Sequence, residues 1–257
     1  VGFASPLRTI AISTTPRSKE QRIRVIGHVV EGEALEARGS RRQARALDKR
    51  ERAAEGNARL TATTGIALLA LLCLEGLTVL AITSLFPWHI AIGLALLPPV
   101  ALKLGSTLWR FARYYLGDEG YRKAGPPPPL LRAIGPLLYL STVVLLVSGV
   151  AWWIAGPSAD SSLGTVHRVS FVVWFVLIAV HVLGHIGRAG KLAMRDAAAR
   201  EAENPLDRRL ARRRQMVVGG TVAAGILLGV ATHGLVTSWA VWAHYFPHAA
   251  QAHANAR

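Results

Sequence analysis

His167, His181 and His185 are the residues whose type and spacing point most directly to chemistry. They lie in one apolar stretch that is long enough to cross a bilayer, running from Thr165 to His185. At about 100° per residue of α-helix, His167 and His185 fall at the same angle and His181 about 40° away, so the three share one face. Imidazoles offered to lipid would carry polar atoms without partners. That face must therefore point into protein, and an ionisable residue inside a membrane segment is a site hypothesis in its own right. His167 and His181 stand about 21 Å apart along the axis, which is room for two stacked metal or haem positions.

The elements that must position these histidines are long apolar runs. The chain has 257 residues, 51% of them hydrophobic, and a formal charge of +15. Nearly all of that charge lies outside the apolar runs, and the runs exceed the roughly 18 to 20 residues needed to span a hydrocarbon core. The fold class expected is all-α, a polytopic membrane helix bundle of about five spans, near residues 61–84, 89–111, 131–155, 164–187 and 216–242. The single cysteine, Cys73, lies inside a run, so neither a disulfide framework nor a cysteine metal site is expected. The first sixty residues lack the apolar core of a cleavable signal, and the first span is expected to direct insertion.

Residues 1–60 form a basic segment in which Ala, Glu and Arg dominate from Glu33 to Arg59, the pattern of a solvated helix after a disordered start. It reads as a cytoplasmic tail that touches anionic lipid, and no nucleic acid partner is expected. A turn at Leu85-Phe-Pro-Trp88 joins the first two spans. Pro98-Pro99 should kink the second and free backbone carbonyls that a neighbouring helix must cover. Gly125-Pro-Pro-Pro-Pro129 is a stiff connector, and the pairs Trp152-Trp153 and Trp239 with Trp242 mark interfacial belts. A tail with His244, His248 and His253 closes the sequence. Of the 30 lysines and arginines, 27 lie before residue 60 or within 110–132 and 188–214. That asymmetry puts the N-terminus inside and the C-terminus outside, as five spans require.

In that topology the second and fourth spans run in the same direction, and His89 and His167 enter the membrane at matching depth. Two imidazoles on different helices at one level are what a bis-histidine haem needs, and the same pair also reads as two interfacial residues bonded to headgroups or loop carbonyls. Arg168 would pair with a haem propionate or anchor its helix to lipid phosphate. His181 and His185, four residues apart, suit one metal ion held from one face, although no acid or cysteine is evidently at hand to complete a zinc site. Lys103, fourteen residues after His89, stands level with His181. It would ligate iron if deprotonated, snorkel to the interface, or pair with a propionate. His233 is a substitute for either outer ligand. Glu75, the one acid inside an apolar run, would carry protons, pair with a histidine, or serve structure alone as a protonated, hydrogen-bonded acid. Gly219-Gly220, Gly225 and Gly229 read as close helix packing.

With an outer histidine heading one helix and histidines fourteen and eighteen residues apart on another, residues 61–190 resemble the bacterial b-type membrane cytochromes. Examples are the cytochrome b subunits of respiratory hydrogenases and formate dehydrogenases. The resemblance implies a four-helix core holding one or two b haems, with His89, His167 and His181 or His185 at the ligand positions. It also implies electron transfer between a partner protein and quinone or another carrier, in a bacterial inner membrane. The reading from a different class is a haem-free anchor, small transporter or regulatory subunit, whose histidines pair with Glu75 or line a proton or metal path.

Overall fold

The computed structural model describes residues 19–125, 129–156, 161–201 and 204–245. Every regular element among them is an α-helix, in the order α1 (Lys19–Leu80), α2 (Ile82–Ala95), α3 (Leu97–Tyr115), α4 (Glu119–Lys123), α5 (Pro129–Ala155), α6 (Ser161–Ala198) and α7 (Pro205–Tyr245). Five segments are long and apolar enough to cross a membrane: Glu31–Leu80, Ile82–Tyr115, Arg132–Ala155, Ser162–Ala198 and Pro205–Leu235. Large apolar side chains such as Val172, Phe175, Leu183, Leu227 and Val230 are exposed along these helices. Leaving each in water would forfeit about 1.5–3 kcal/mol, so the surface is built for lipid and the chain is an integral membrane protein.

The chain divides into two compact units, residues 1–49 and 50–257. In the first, the Ala, Glu and Arg sequence forms helix from Lys19 onward, with nearly every side chain from Glu31 to Lys49 exposed. The expected disordered start falls on residues 1–18, outside the described residues. The side chains of Trp239, Trp242 and His244 lie outside them as well, as do His248 and His253.

In the second unit, α5 packs along α6, while α2 and α3 both pack against α7. Leu68, Leu96 and Val100 form a buried cluster backed by Leu71, Leu72, Leu104 and Leu146, which joins α1, the α2–α3 junction and α5. The connection between the first two spans begins at Ala81 and includes Leu85, the first residue of the turn expected at 85–88. Ala81 leaves helical geometry at φ −124° and ψ 43°, and the amides of Ser84 and Leu85 both donate to its carbonyl. Leu85 then kinks at φ −107°. Pro87 accounts for the distortion, because it supplies no N–H one turn back and its ring crowds that turn.

Pro98 and Pro99 break the second span as expected, and they do so by opening a new helix. α2 stops at Ala95, and the two prolines occupy the first turn of α3, where their missing N–H groups cost nothing. The carbonyl of Ala95 has thereby lost its donor at Pro99. It lies directly against Gly225 of α7, where a Cβ would sit 2.0 Å from the oxygen, and the carbonyl of Ala91 lies likewise at Gly229, with a Cβ at 2.6 Å. The seam is a small-xxx-small pairing of two helices, Ala91 and Ala95 against Gly225 and Gly229. Gly219 and Gly220, by contrast, face open space.

The opposite end of the bundle carries the basic loops. Asp118 caps α4 by accepting from the amides of Gly120 and Tyr121, and it holds Arg113 at 2.6 Å. Gly120 is pressed on the backbone of Arg50, where a Cβ would meet the carbonyl at 2.6 Å. Exposed pairs Arg50–Glu119 and Lys123–Glu51 flank the contact. The Glu51 hydrogen bond raises the Lys123 ammonium above its ordinary pKa. Between α6 and α7, Arg214 grips the fully buried carboxylate of Asp196 through Nε at 2.8 Å and through a second nitrogen, and Gln215 donates to the Asp196 carbonyl at 3.0 Å.

Gly225→Ala will lower the thermal unfolding midpoint in detergent, through overpacking of about 1–3 kcal/mol at the Ala95 carbonyl. Gly219→Ala, in open helix, will leave it unchanged or raise it, because alanine favours helix by about 0.5–1 kcal/mol.

Candidate functional site

The connection that begins at Ala81 places the end of α1 beside the start of α2, and the polar residues of both meet there. His89 Nδ1 lies 2.8 Å from Glu75 Oε1 and 3.1 Å from Thr78 Oγ1. Thr78, three residues beyond Glu75 on the same face, donates to the Glu75 carbonyl at 2.6 Å and is itself buried. Glu75 and His89 are largely enclosed, with side-chain exposures of 14% and 22%. With Glu75 as a carboxylate, which only accepts, Nδ1 of His89 is the donor and Nε2 is the nitrogen left over.

His167 is anchored differently. Its Nδ1 lies 3.1 Å from the Leu145 carbonyl and 3.3 Å from Ser148 Oγ, both on α5. Ser148 Oγ donates to the same carbonyl at 3.0 Å, so the imidazole donates there too. The ring rests on Gly149, where a Cβ would stand 2.8 Å from its Cε1. Trp152 packs on the other side, with ring centres 6.3 Å apart, and lies over Gly164, where a Cβ would come within 3.0 Å. Trp152 thus serves the site as well as the interface expected of it.

The two imidazoles, one from α2 and one from α6, have ring centres 6.4 Å apart and planes inclined at 72°. Both rings use Nδ1 for their hydrogen bonds, which leaves Nε2 as the nitrogen available to a ligand. Comparison with protein-family models, curated proteins and solved structures finds no match for this chain. The function must therefore be argued from the geometry.

Further along α6, Trp174 donates from Nε1 to Thr142 Oγ1 at 3.0 Å and stacks with Phe171. Seven residues separate it from His167 and seven from His181, so it fills the same face between the two histidine levels. His181 and His185 lie together at 4.5 Å between ring centres, and His181 Nδ1 is buried with no hydrogen-bond partner among the described residues. Lys103 is directed elsewhere: its Nζ donates to the Thr61 carbonyl on α1 at 2.7 Å, over Gly65. His233 packs on Trp88 at 5.1 Å, beside His89 in sequence, and its Nδ1 is also buried without a partner among the described residues. Arg168 is exposed and turns back on its own helix, donating from Nε to the Gly164 carbonyl at 3.2 Å.

Among the described residues no three His, Cys, Asp or Glu side chains gather to hold a bare metal ion. A group that brings most of its own ligands, such as a haem, asks less of the protein, and His89 and His167, from two helices with ring centres 6.4 Å apart and Nδ1 the tethered nitrogen of each, are the residues that would hold one. The outward nitrogen of each ring is held by a carboxylate or a carbonyl, the arrangement that orients imidazole ligands. Thr78, Leu145, Ser148 and Gly149 are site residues that inspection of the sequence passed over. The stripe Thr142, Leu145, Gly149, Trp152 at helical spacing was the signal present for two of these positions, Leu145 and Gly149.

Gly149→Ala will displace the His167 ring and break its bond to the Leu145 carbonyl. In protein labelled with ¹⁵N-histidine, the His167 Nδ1 resonance will lose its hydrogen-bonded shift while that of His89 stays in place.

Proposed function

We propose that this chain is a membrane b-type cytochrome in which His89 and His167 would hold one haem, and that it carries electrons between a redox partner protein and quinone or another carrier. The observation that supports this best is the pair of imidazoles from two helices, 6.4 Å apart, each tethered through Nδ1. When bound, the haem supplies reversible one-electron chemistry, and the protein's part is ligation, burial and tuning of potential. Glu75 and Thr78 orient the His89 ring; the Leu145 carbonyl, Ser148 and Gly149 orient that of His167. Trp152 packs against the His167 ring. Arg168, next to His167 in sequence, is the cation that would pair with a propionate.

One haem per chain is the proposed stoichiometry. At the second level only α6 offers imidazoles, and Lys103 spends its ammonium on the Thr61 carbonyl. The distribution of lysine and arginine supports a cytoplasmic N-terminus and an outer C-terminus in a bacterial inner membrane, with the haem in the outer half of the bilayer. The second reading, a haem-free membrane module with a proton path, draws on the Glu75–His89 pair at 2.8 Å.

Purified from cells supplied with haem, the protein will give a reduced-minus-oxidised spectrum with a sharp b-type α band and one haem per chain by pyridine haemochrome. A folded, colourless preparation overturns the cytochrome reading in favour of the second. His89→Ala and His167→Ala will each abolish the band.

A further inference from the structure

The tethers of the two candidate ligands are chemically unequal. His167 donates to a neutral carbonyl, that of Leu145, whereas His89 donates to the carboxylate of Glu75. Glu75 is the only acid inside an apolar run. No arginine or lysine is paired with it among the described ion pairs, and its partners are His89 and Thr78. The Thr78 hydroxyl lies 3.4 Å from Oε2, and Gly93, one turn after His89, stands beside Oε1 at a distance where a Cβ would make ordinary contact, 3.5 Å. In a low-dielectric interior a carboxylate accepting the Nδ1 hydrogen raises the electron density of the whole ring, so the ligand nitrogen becomes more basic.

We infer that Glu75 is a positioning residue that fixes His89 in the Nδ1–H tautomer and, through its charge, holds the haem site at low potential. The inference rests on the cytochrome reading. An electron-rich ligand and a nearby negative charge both favour the ferric state, which carries one more positive charge than the ferrous. Replacing the carboxylate with a neutral acceptor of the same shape removes both effects and leaves the ring in place. The Leu145 carbonyl gives His167 direction without charge, so the tuning falls on the α2 side of the site.

The test is a redox titration of the haem-bearing protein and its Glu75→Gln and Glu75→Asp variants at one pH. Glu75→Gln will keep a b-type spectrum and favour the ferrous state at least tenfold more than the wild type, a midpoint raised by about 59 mV or more for one electron. Glu75→Asp, which keeps the charge, will stay close to wild type. An unmoved midpoint in Glu75→Gln, or haem lost from both variants alike, overturns the inference, the latter by making Glu75 a packing element. Haem lost from Glu75→Gln alone upholds the role of the charge in fixing His89. A wild type without haem refutes the cytochrome reading instead. In that event ¹⁵N-histidine spectra of the haem-free protein decide the tautomer claim: His89 wholly Nδ1–H in the wild type and a tautomer mixture in Glu75→Gln support it, and no difference refutes it.

Discussion

A hydrocarbon interior donates and accepts no hydrogen bonds, so a polar atom in these helices is either held by another helix or bears a desolvation cost of about 2–7 kcal/mol. The bundle is arranged around that constraint. Pro99 strips the Ala95 carbonyl of its donor, and the side-chain-free surface of α7 lies on it at Gly225. That contact fixes the rotation of α2. With Ala91 and Ala95 committed to α7, the helical period turns His89 to the other side, toward α1 and α6. The position of the histidine is thus a consequence of where a backbone carbonyl had to be covered.

The same rule explains the polar residues near the site. Thr78, Ser148, Ser170 and Thr142 each bond to a backbone carbonyl of their own helix. Thr78 and Ser148 reach a histidine as well, and Thr142 receives the Trp174 indole. Small hydroxyl residues therefore serve twice, satisfying themselves locally and lending an oxygen to a bulkier ring across a helix interface. The imidazoles themselves are largely shielded from lipid without any one helix having to be uniformly polar.

Hydropathy made the five spans legible, because length and apolar content depend on the sequence of each helix alone. Matching depth made His89 and His167 legible as neighbours, since position along a helix fixes depth at about 1.5 Å per residue. The choice of Glu75 as the partner of His89 was not legible, because it hinged on where the chain reverses. The chain leaves helical geometry at Ala81 and again at Leu85, and the segment after Leu85 brings His89 back beside Glu75. The anchor of His167 was hidden for another reason: a carbonyl has no signature in a sequence, and Leu145 offers nothing else that is polar. Lys103 stood at the depth expected for a ligand, but which helix it faces depends on packing that spacing does not encode.

The clasp of Arg214 on Asp196 has a consequence for how the bundle can move. Asp196 is wholly enclosed, and parting the pair would leave a buried charge unmatched at about 3–5 kcal/mol. The Gln215 bond to the backbone of Asp196 reinforces the joint. The end of α6 and the start of α7 therefore cannot slide or part at the basic end without that cost.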